Sequence, residues 1–211
     1  SARGERVFGV DSGHPPEAEG LADAGVEVSL DVDGTALLGE VETVVKSPGV
    51  PREAPVVEEA VRRGQEVTGE LELAWRALPN RFCAVTGTNG KTTTTELIGH
   101  IHRSAGKPVA VAGNVGTPLS SLVGEVEAEA TIVCECSSFQ LEDASAFAPE
   151  CAVFLNLAPD HLDRHHSLEA YRDAKLAIFA NQGHDDVAVV NADDPELSSG
   201  AIPGDGRRLW F

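Results

Sequence analysis

The chain has 211 residues and is 42% hydrophobic, which is enough apolar content for one large or two small globular domains. Its 16 basic and 34 acidic residues give a formal net charge of −18, which opposes binding to nucleic acid and to acidic membrane surfaces. A bound anionic nucleotide would therefore need metal ions or local cations. No apolar run approaches the length of a membrane span and no basic-then-apolar leader opens the sequence, so we expect a cytoplasmic protein.

The first part of the chain, 1–79, predicts a small α/β unit. The predicted elements are strands at 6–10, 41–46 and 66–69 and helices at 51–63 and 69–78. A Pro-Asn pair at positions 79 and 80 then interrupts the pattern, so we predict a domain boundary there.

The rest of the chain, 80–211, alternates apolar runs with helical segments. The runs lie at 82–86, 109–113, 130–136, 151–157 and 186–191. This alternation predicts a mostly parallel sheet that is covered by helices. Ligands bind such sheets at the carboxyl ends of strands, so we expect the polar clusters after the first four runs to converge on one edge.

The segment AVTGTNGKTTTTELIGHIH, residues 84–102, predicts a nucleotide site. An apolar run leads through a glycine-rich turn into apolar residues at helical spacing, which is the context of a phosphate-binding loop. Backbone amides and the helix N-terminus would hold phosphates, Lys91 would reach the outer ones, and the Thr92 hydroxyl would bind magnesium. The loop is a variant of the general pattern, because Val85 occupies the position of the first glycine and the glycine of this loop lies at Gly87 instead. An ordinary glycine turn before a helix is the alternative.

The four cysteines lie on apolar, strand-like runs without CxxC spacing; they are Cys83, Cys134, Cys136 and Cys151. Buried thiols are therefore predicted rather than a zinc site or disulfides.

Glu135 and His161 are candidate metal ligands. Glu135 ends an apolar run, where a carboxylate is costly to desolvate unless it meets a cation or a hydrogen-bond donor. A carboxylate at a solvated strand end is the alternative. His161 could form a helical metal pair with His165, but one histidine near magnesium or phosphate is favoured over a zinc site. His165 and His166 are then expected at the surface.

Lys175 is predicted to point inward. On a helix that starts near Ser167 it shares a stripe with Tyr171 and Ile178. A partly buried lysine has a lowered pKa, which makes its neutral amine available as a nucleophile or for modification. A lysine that extends along the surface to reach solvent is the alternative.

Six segments follow one another in the order found in the Mur ligase family, which builds peptidoglycan precursors: GTNGKTT, GNVGTP, ECSSFQLE, DHLDRHH, the Lys175 helix and VVNADD. The segments VVKSPGVP and GELELAWR are similar to the UDP-binding domain of that family, so the resemblance covers nearly the whole chain. The spelling ECSSFQLE is most similar to members that add D-glutamate to UDP-N-acetylmuramoyl-L-alanine. The implied fold is α/β, with an incomplete Rossmann-like UDP-substrate-binding domain at 1–79 and an incomplete P-loop-type ATP-binding domain at 80–211.

The resemblance implies roles for individual residues, with ATP and two Mg²⁺ ions as cofactors and a carbamylated Lys175. The implied cofactor-binding residues are Gly87, Thr88, Asn89, Gly90, Lys91, Thr92 and Thr93. The implied metal ligands are Thr92, Glu135, His161 and Lys175. The implied catalytic residues are Lys91, Glu135, His161 and Lys175. The implied substrate-binding residues are Asp11, Ser12, Ser47, Gly49, Asn114, Ser137 and Gln140. No role is assigned to the segment from Asn191 to Asp194.

The implied reaction is ATP-dependent amide bond formation. ATP phosphorylates the substrate carboxylate to an acyl phosphate, and the amine of D-glutamate then displaces phosphate. UDP-N-acetylmuramoyl-L-alanine and D-glutamate are the expected partners, with no nucleic acid and no membrane. Departures from the family at both ends predict a fragment that lacks the first strand and the C-terminal domain and is inactive alone. A non-catalytic nucleotide- or UDP-sugar-binding module and another Mur-type or folylpolyglutamate-type ligase are the alternatives.

Overall fold

The structure, a computed structural model, describes residues 5–16, 18–198 and 200–211. The chain divides into two compact units, one ending at Val67 and one running from Thr68 to Phe211. This division lies before the boundary predicted at 79 and 80, because the helix Glu70–Ala77 buries Leu71 and Ala74 in the core of the second unit. Compact units and functional domains need not share a boundary, so the two domains stay a prediction.

The first unit is a small α/β structure. Its elements are β1 (Phe8–Asp11), α1 (Ala18–Asp23), β2 (Glu27–Leu30), a 3-10 helix (Thr35–Gly39), β3 (Thr43–Lys46), α2 (Pro55–Arg62) and β4 (Glu66–Gly69), which continues into the second unit. β1 and β2 pair in parallel, with Phe8 opposite Glu27. The helix predicted from position 51 begins at Pro55, where proline fits because the first helical N–H has no partner within the helix.

The second unit contains a six-stranded sheet. Its strands are β5 (Phe82–Thr86), β6 (Val109–Gly113), β7 (Thr131–Glu135), β8 (Cys151–Phe154), β9 (Val187–Val190) and β10 (Arg207–Trp210). Their order is β10-β9-β8-β5-β7-β6, and all five neighbouring pairs are parallel. The predicted parallel sheet is thus confirmed.

Helices accompany this sheet and supply its apolar cover. They are α3 (Glu70–Ala77), α4 (Lys91–Ser104), α5 (Ser138–Glu142), α6 (Leu162–His165), α7 (Leu168–Leu176) and α8 (Pro195–Ser198), with 3-10 turns at Leu119–Leu122 and Ala177–Phe179. Central strands that are covered on both faces read as continuous apolar runs, as Phe82, Ala84 and Val85 of β5 do. None of the described helices is long and apolar enough to cross a membrane.

Strand β5 lies between β8 and β7 in the sheet. The chain leaves β5 and returns on both sides of it, so the order of strands reverses there. A crevice at the carboxyl edge is the usual result of such a reversal in a parallel sheet. The loops after β5, β6, β7 and β8 all leave the sheet at that edge.

Candidate functional site

A glycine-rich loop connects β5 to α4. Gly87 has φ 153° and Gly90 has φ 84°, backbone conformations that favour glycine. A Cβ on Gly87 would also lie only 3.1 Å from the Cβ of Leu155. α4 begins directly after the loop at Lys91 and runs for 14 residues, so its N-terminal amides and positive potential meet the loop. The loop therefore has the geometry of a phosphate cradle.

Asn156, which follows β8, holds this loop in shape. Its backbone oxygen accepts a hydrogen bond from the Thr88 amide at 2.9 Å, and its side-chain Oδ1 accepts one from the Asn89 amide at 2.9 Å. Its Nδ2 donates to the Asn89 carbonyl at 3.0 Å. The sequence pattern places Asn156 inside a predicted strand, but β8 ends at Phe154 and leaves Asn156 free to reach across.

Two lysines meet at the Gly87 carbonyl. Lys91 Nζ donates to the oxygens of Gly87 and Thr88, each at 3.0 Å, and Lys175 Nζ donates to Gly87 at 2.9 Å. Lys91 thus folds over its own loop, next to the space that phosphates would fill.

Lys175 is 1% exposed, which confirms the predicted inward direction. Its Nζ lies 4.6 Å from the centre of the Tyr171 ring. Burial, followed by repulsion from Lys91, lowers the pKa of Lys175 from 10.5 to about 7. A large share of the amine is therefore neutral near physiological pH.

Glu135, at the end of β7, is buried at 3% exposure and faces the start of α4. Its Oε2 accepts a hydrogen bond from Thr92 Oγ1 at 2.7 Å, and its Oε1 accepts one from Asn114 Nδ2 at 3.3 Å. The backbones of β6 and β7 approach closely here, because a Cβ on Gly113, with φ 123°, would collide with the Glu135 backbone oxygen. The structure therefore brings Thr92, Asn114 and Glu135 together.

Ser137 and Gln140 form the N-terminal cap of α5. The Gln140 amide donates to Ser137 Oγ at 3.3 Å, and Gln140 Oε1 accepts from the Ser137 amide at 3.0 Å. Both predicted substrate residues are thus fixed in position by each other.

His161 precedes α6 in a left-handed conformation, with φ 51° and half of its side chain exposed. Its Nε2 lies 3.6 Å from Asp160 Oδ2, and its ring centre is 6.2 Å from that of Tyr171. His161 and Lys175 therefore both approach Tyr171. Among the described residues, no three His, Cys, Asp or Glu side chains form a group that could hold a metal ion by themselves.

The expectation that His165 lies at the surface is wrong. Its side chain is buried, with Nε2 2.9 Å from Ser138 Oγ and Nδ1 3.1 Å from Glu142 Oε1. The ring also stacks on Phe139 with centres 5.3 Å apart. Burial lowers the pKa of His165 below its ordinary value. His166 is exposed, as expected.

The segment from Asn191 to Asp194 supports the loop after β8. Asn191 Nδ2 donates to the Leu155 carbonyl at 2.9 Å, and Asp194 Oδ2 accepts from the Leu157 amide at 2.7 Å. These contacts fix both neighbours of Asn156. The segment thus acts on the phosphate loop through Asn156.

The first unit has its own cavity of about 550 Å³. Apolar side chains such as Val10, Leu37 and Val56 form much of its wall. All four substrate residues that are predicted in this unit line it, namely Asp11, Ser12, Ser47 and Gly49. Size and lining are those of a small-molecule site.

The family pattern described as the Mur ligase middle domain matches residues 85–204. The chain belongs to the Mur ligase family. This match covers the phosphate loop, Glu135, His161 and Lys175.

Similar sequences within the family are named as UDP-N-acetylmuramoylalanine–D-glutamate ligases. The one from Pelotomaculum thermopropionicum is 49% identical over 99% of this chain and 47% of its own length. The one from Alkaliphilus oremlandii is 48% identical over 83% of this chain and 38% of its own length. The chain therefore spans less than half the length of these relatives.

Two solved ligase structures have a similar fold. The UDP-N-acetylmuramate:L-alanyl-gamma-D-glutamyl-meso-diaminopimelate ligase from Neisseria meningitides matches 100% of this chain and 71% of its own, with a TM-score of 0.63 and 22% identity. The MurF ligase from Thermotoga maritima, solved with ADP, matches 82% of this chain and 48% of its own, with a TM-score of 0.54 and 22% identity.

Proposed function

We propose that this chain is the nucleotide- and substrate-binding part of an ATP-dependent ligase that joins D-glutamate to UDP-N-acetylmuramoyl-L-alanine. The phosphate loop with its Thr92–Glu135 pair is the observation that carries the proposal. The names of the relatives at 48 to 49% identity support the choice of substrates.

The ATP phosphates would lie against Gly87 to Thr93. Backbone amides at the N-terminus of α4 would donate to them, and Lys91 would exchange its two loop carbonyls for phosphate oxygens. The exchange replaces neutral acceptors with anionic ones, which make stronger hydrogen bonds. Asn156 keeps Thr88 and Asn89 in place, so little ordering is needed on binding.

The residues at the loop fit magnesium. The Thr92 hydroxyl and the Glu135 carboxylate are hard oxygen donors whose oxygens lie 2.7 Å apart. Magnesium in phosphate sites is usually held by one or two such side chains together with substrate phosphates. When bound, the ion would offset the negative charge of the transferring phosphoryl group. His161 and a carbamylated Lys175 are the proposed ligands of a second ion.

The proposed reaction has two steps. The γ-phosphoryl group of ATP passes to the carboxylate of the L-alanyl substrate and gives an acyl phosphate with release of ADP. The amine of D-glutamate then attacks the acyl carbon, and an amide forms as phosphate leaves. The cavity with Ser12 and Ser47 is the proposed site of the uridine part of the substrate. Asn114, Ser137 and Gln140 are proposed as further substrate-binding residues.

Calorimetry with ADP and Mg²⁺ tests the nucleotide site. We expect Lys91→Ala to weaken binding by about 1.5–3 kcal/mol, because it removes a charge-assisted contact to phosphate. Lys107→Ala is the matched control, since Lys107 is exposed beyond the far end of α4, about 20 Å along the helix. Equal heats for wild type and for a folded Lys91→Ala would contradict the assignment.

Calorimetry with substrates tests the choice of ligase. Binding heat with UDP-N-acetylmuramoyl-L-alanine, and none with a folate, would distinguish the proposed ligase from a folylpolyglutamate-type ligase.

Carbon NMR with labelled bicarbonate tests the carbamate. The neutral form of the buried Lys175 amine attacks carbon dioxide and gives a carbamate and a proton. The side chain then carries a negative charge that can bind magnesium, whereas the protonated amine would repel it. We expect a carbamate signal with Mg²⁺ and nucleotide present, and none in Lys175→Arg. No signal from folded, metal-bound protein would leave Lys175 as an amine.

A product assay separates the chain from a complete ligase. The chain spans less than half of its relatives' length, so we propose that these 211 residues alone form no amide bond. Incubation with ATP, Mg²⁺ and both substrates should give no product by mass spectrometry. Product at the rate of a complete ligase would contradict this.

A further inference from the structure

Two cysteines lie side by side at the N-terminal ends of strands β5 and β8, whereas the phosphate loop follows the C-terminal end of β5. Cys83 is the second residue of β5 and Cys151 is the first residue of β8, and the two are directly paired in the register of the strands. Paired residues on neighbouring parallel strands point to the same face of the sheet. The two cysteines are therefore side-by-side neighbours on one face of the sheet.

This placement suits a disulfide. Neighbouring strands lie about 4.8 Å apart, and disulfides are found at Cα separations of roughly 4.4–6.8 Å. The Phe82 amide also donates to Glu150 Oε2 at 2.7 Å, so the residues just before both cysteines are held together. The usual spacing of paired strands thus falls within the range of Cα separations that disulfides have.

Access distinguishes this pair from the other two cysteines. Cys83 and Cys151 are partly exposed, whereas Cys134 and Cys136 are fully buried with their Sγ atoms 3.8 Å apart. The first pair is therefore more accessible to a soluble reagent than the second. The buried pair serves as an internal comparison.

We propose that Cys83 and Cys151 form a modification site that reacts with low-molecular-weight disulfides and becomes an intramolecular disulfide. One cysteine thiolate attacks the external disulfide, which gives a mixed disulfide and releases one thiolate. The other cysteine then attacks the protein sulfur of the mixed disulfide and releases the second. The pair loses two electrons and two protons, and the external disulfide is reduced to two thiols. The site is independent of the proposed ligase function.

Cys151 is the first nucleophile in this sequence. The neighbouring Cys83 thiol lowers the pKa of Cys151, while burial acts in the opposite direction. The neighbouring Cys151 thiol, together with burial, raises the pKa of Cys83. The thiolate attacks, so Cys151 takes the mixed disulfide and Cys83 resolves it.

Oxidised glutathione is the probe for the folded 211-residue protein. We expect wild type to lose the mass of two hydrogens and to give a linked peptide pair that contains Cys83 and Cys151 after digestion without reductant. Cys83→Ser should instead retain one glutathione on Cys151, because the resolving thiol is missing. Dithiothreitol should reverse both changes.

The buried pair supplies the control. Cys134→Ser should still form the Cys83–Cys151 link. The main readout, the linked peptide, is measured in wild type and therefore does not depend on the folding of any variant. The proposal fails if wild type shows no link under conditions in which its urea-unfolded form reacts at all four cysteines. It also fails if folded wild type keeps separate glutathione adducts on Cys83 and Cys151, or if the link joins other cysteines.

Discussion

Lys175 is the residue whose chemistry depends most on its surroundings, because it is buried beside a second lysine. Its pKa in the folded protein is about 7, against an ordinary 10.5. Between these values the unfolded chain binds a proton that the folded chain lacks, so stability should rise with pH by up to about 1.4 kcal/mol per unit. Below pH 7 both forms carry the proton, and the penalty of burying it is constant. Lys175→Met removes this dependence.

Urea denaturation between pH 7 and 9 measures the effect. The unfolding free energy of wild type minus that of Lys175→Met should increase with pH, whereas the same difference taken with Lys107→Met should not. Parallel curves for wild type and Lys175→Met would show that the amine is protonated throughout in the folded protein.

Helix α3 is held to a neighbouring loop by a fully buried carboxylate, that of Glu72. Glu72 accepts hydrogen bonds from the amides of Ala146 and Phe147 and pairs with Arg76 at 2.8 Å. We expect Glu72→Ala to lower the unfolding free energy by about 3–5 kcal/mol, because two buried amides and one arginine lose their partner. Glu96→Gln, on the exposed side of α4, should change it by less than about 0.5 kcal/mol. A small effect of Glu72→Ala in thermal or urea melts would mean that water replaces the carboxylate.

Elements with strong apolar patterns could be predicted from the sequence, and those held by single polar contacts could not. Strands β5 to β9 lie within the predicted apolar runs because each of them supplies buried side chains to the core. β10 escapes prediction since its Arg-Arg-Leu-Trp residues are all exposed. The inward direction of Lys175 follows from helical spacing alone. The loop contacts of Asn156 and the burial of His165 could not be predicted, because their partners come from distant parts of the chain and no local pattern marks them.

At the scale of the whole molecule, the two proposed ligand sites lie in different compact units. Lys46 lines the cavity of the first unit and donates to the Val50 carbonyl at 2.8 Å. We expect Lys46→Met to weaken binding of a uridine nucleotide and to leave that of ADP unchanged, and Lys91→Ala to do the reverse. The double variant should lose as much affinity for the uridine nucleotide as Lys46→Met does and as much affinity for ADP as Lys91→Ala does, because distant mutations without shared partners act independently. Calorimetry with each nucleotide on wild type and on the three variants measures these affinities. A loss of ADP binding in Lys46→Met would contradict independence.

The central position of β5 also has a kinetic consequence. Contacts of this strand join residues 50 and 68 positions apart, as between Thr86 and Cys136 and between Phe82 and Glu150. Contacts between such distant parts of a chain are slow to form. The cradle around Gly87 is complete only when these pairings exist, so it should form after the rate-limiting step of folding. ADP should then slow unfolding and leave the refolding rate unchanged in stopped-flow measurements, because a ligand acts only on species that already have its site.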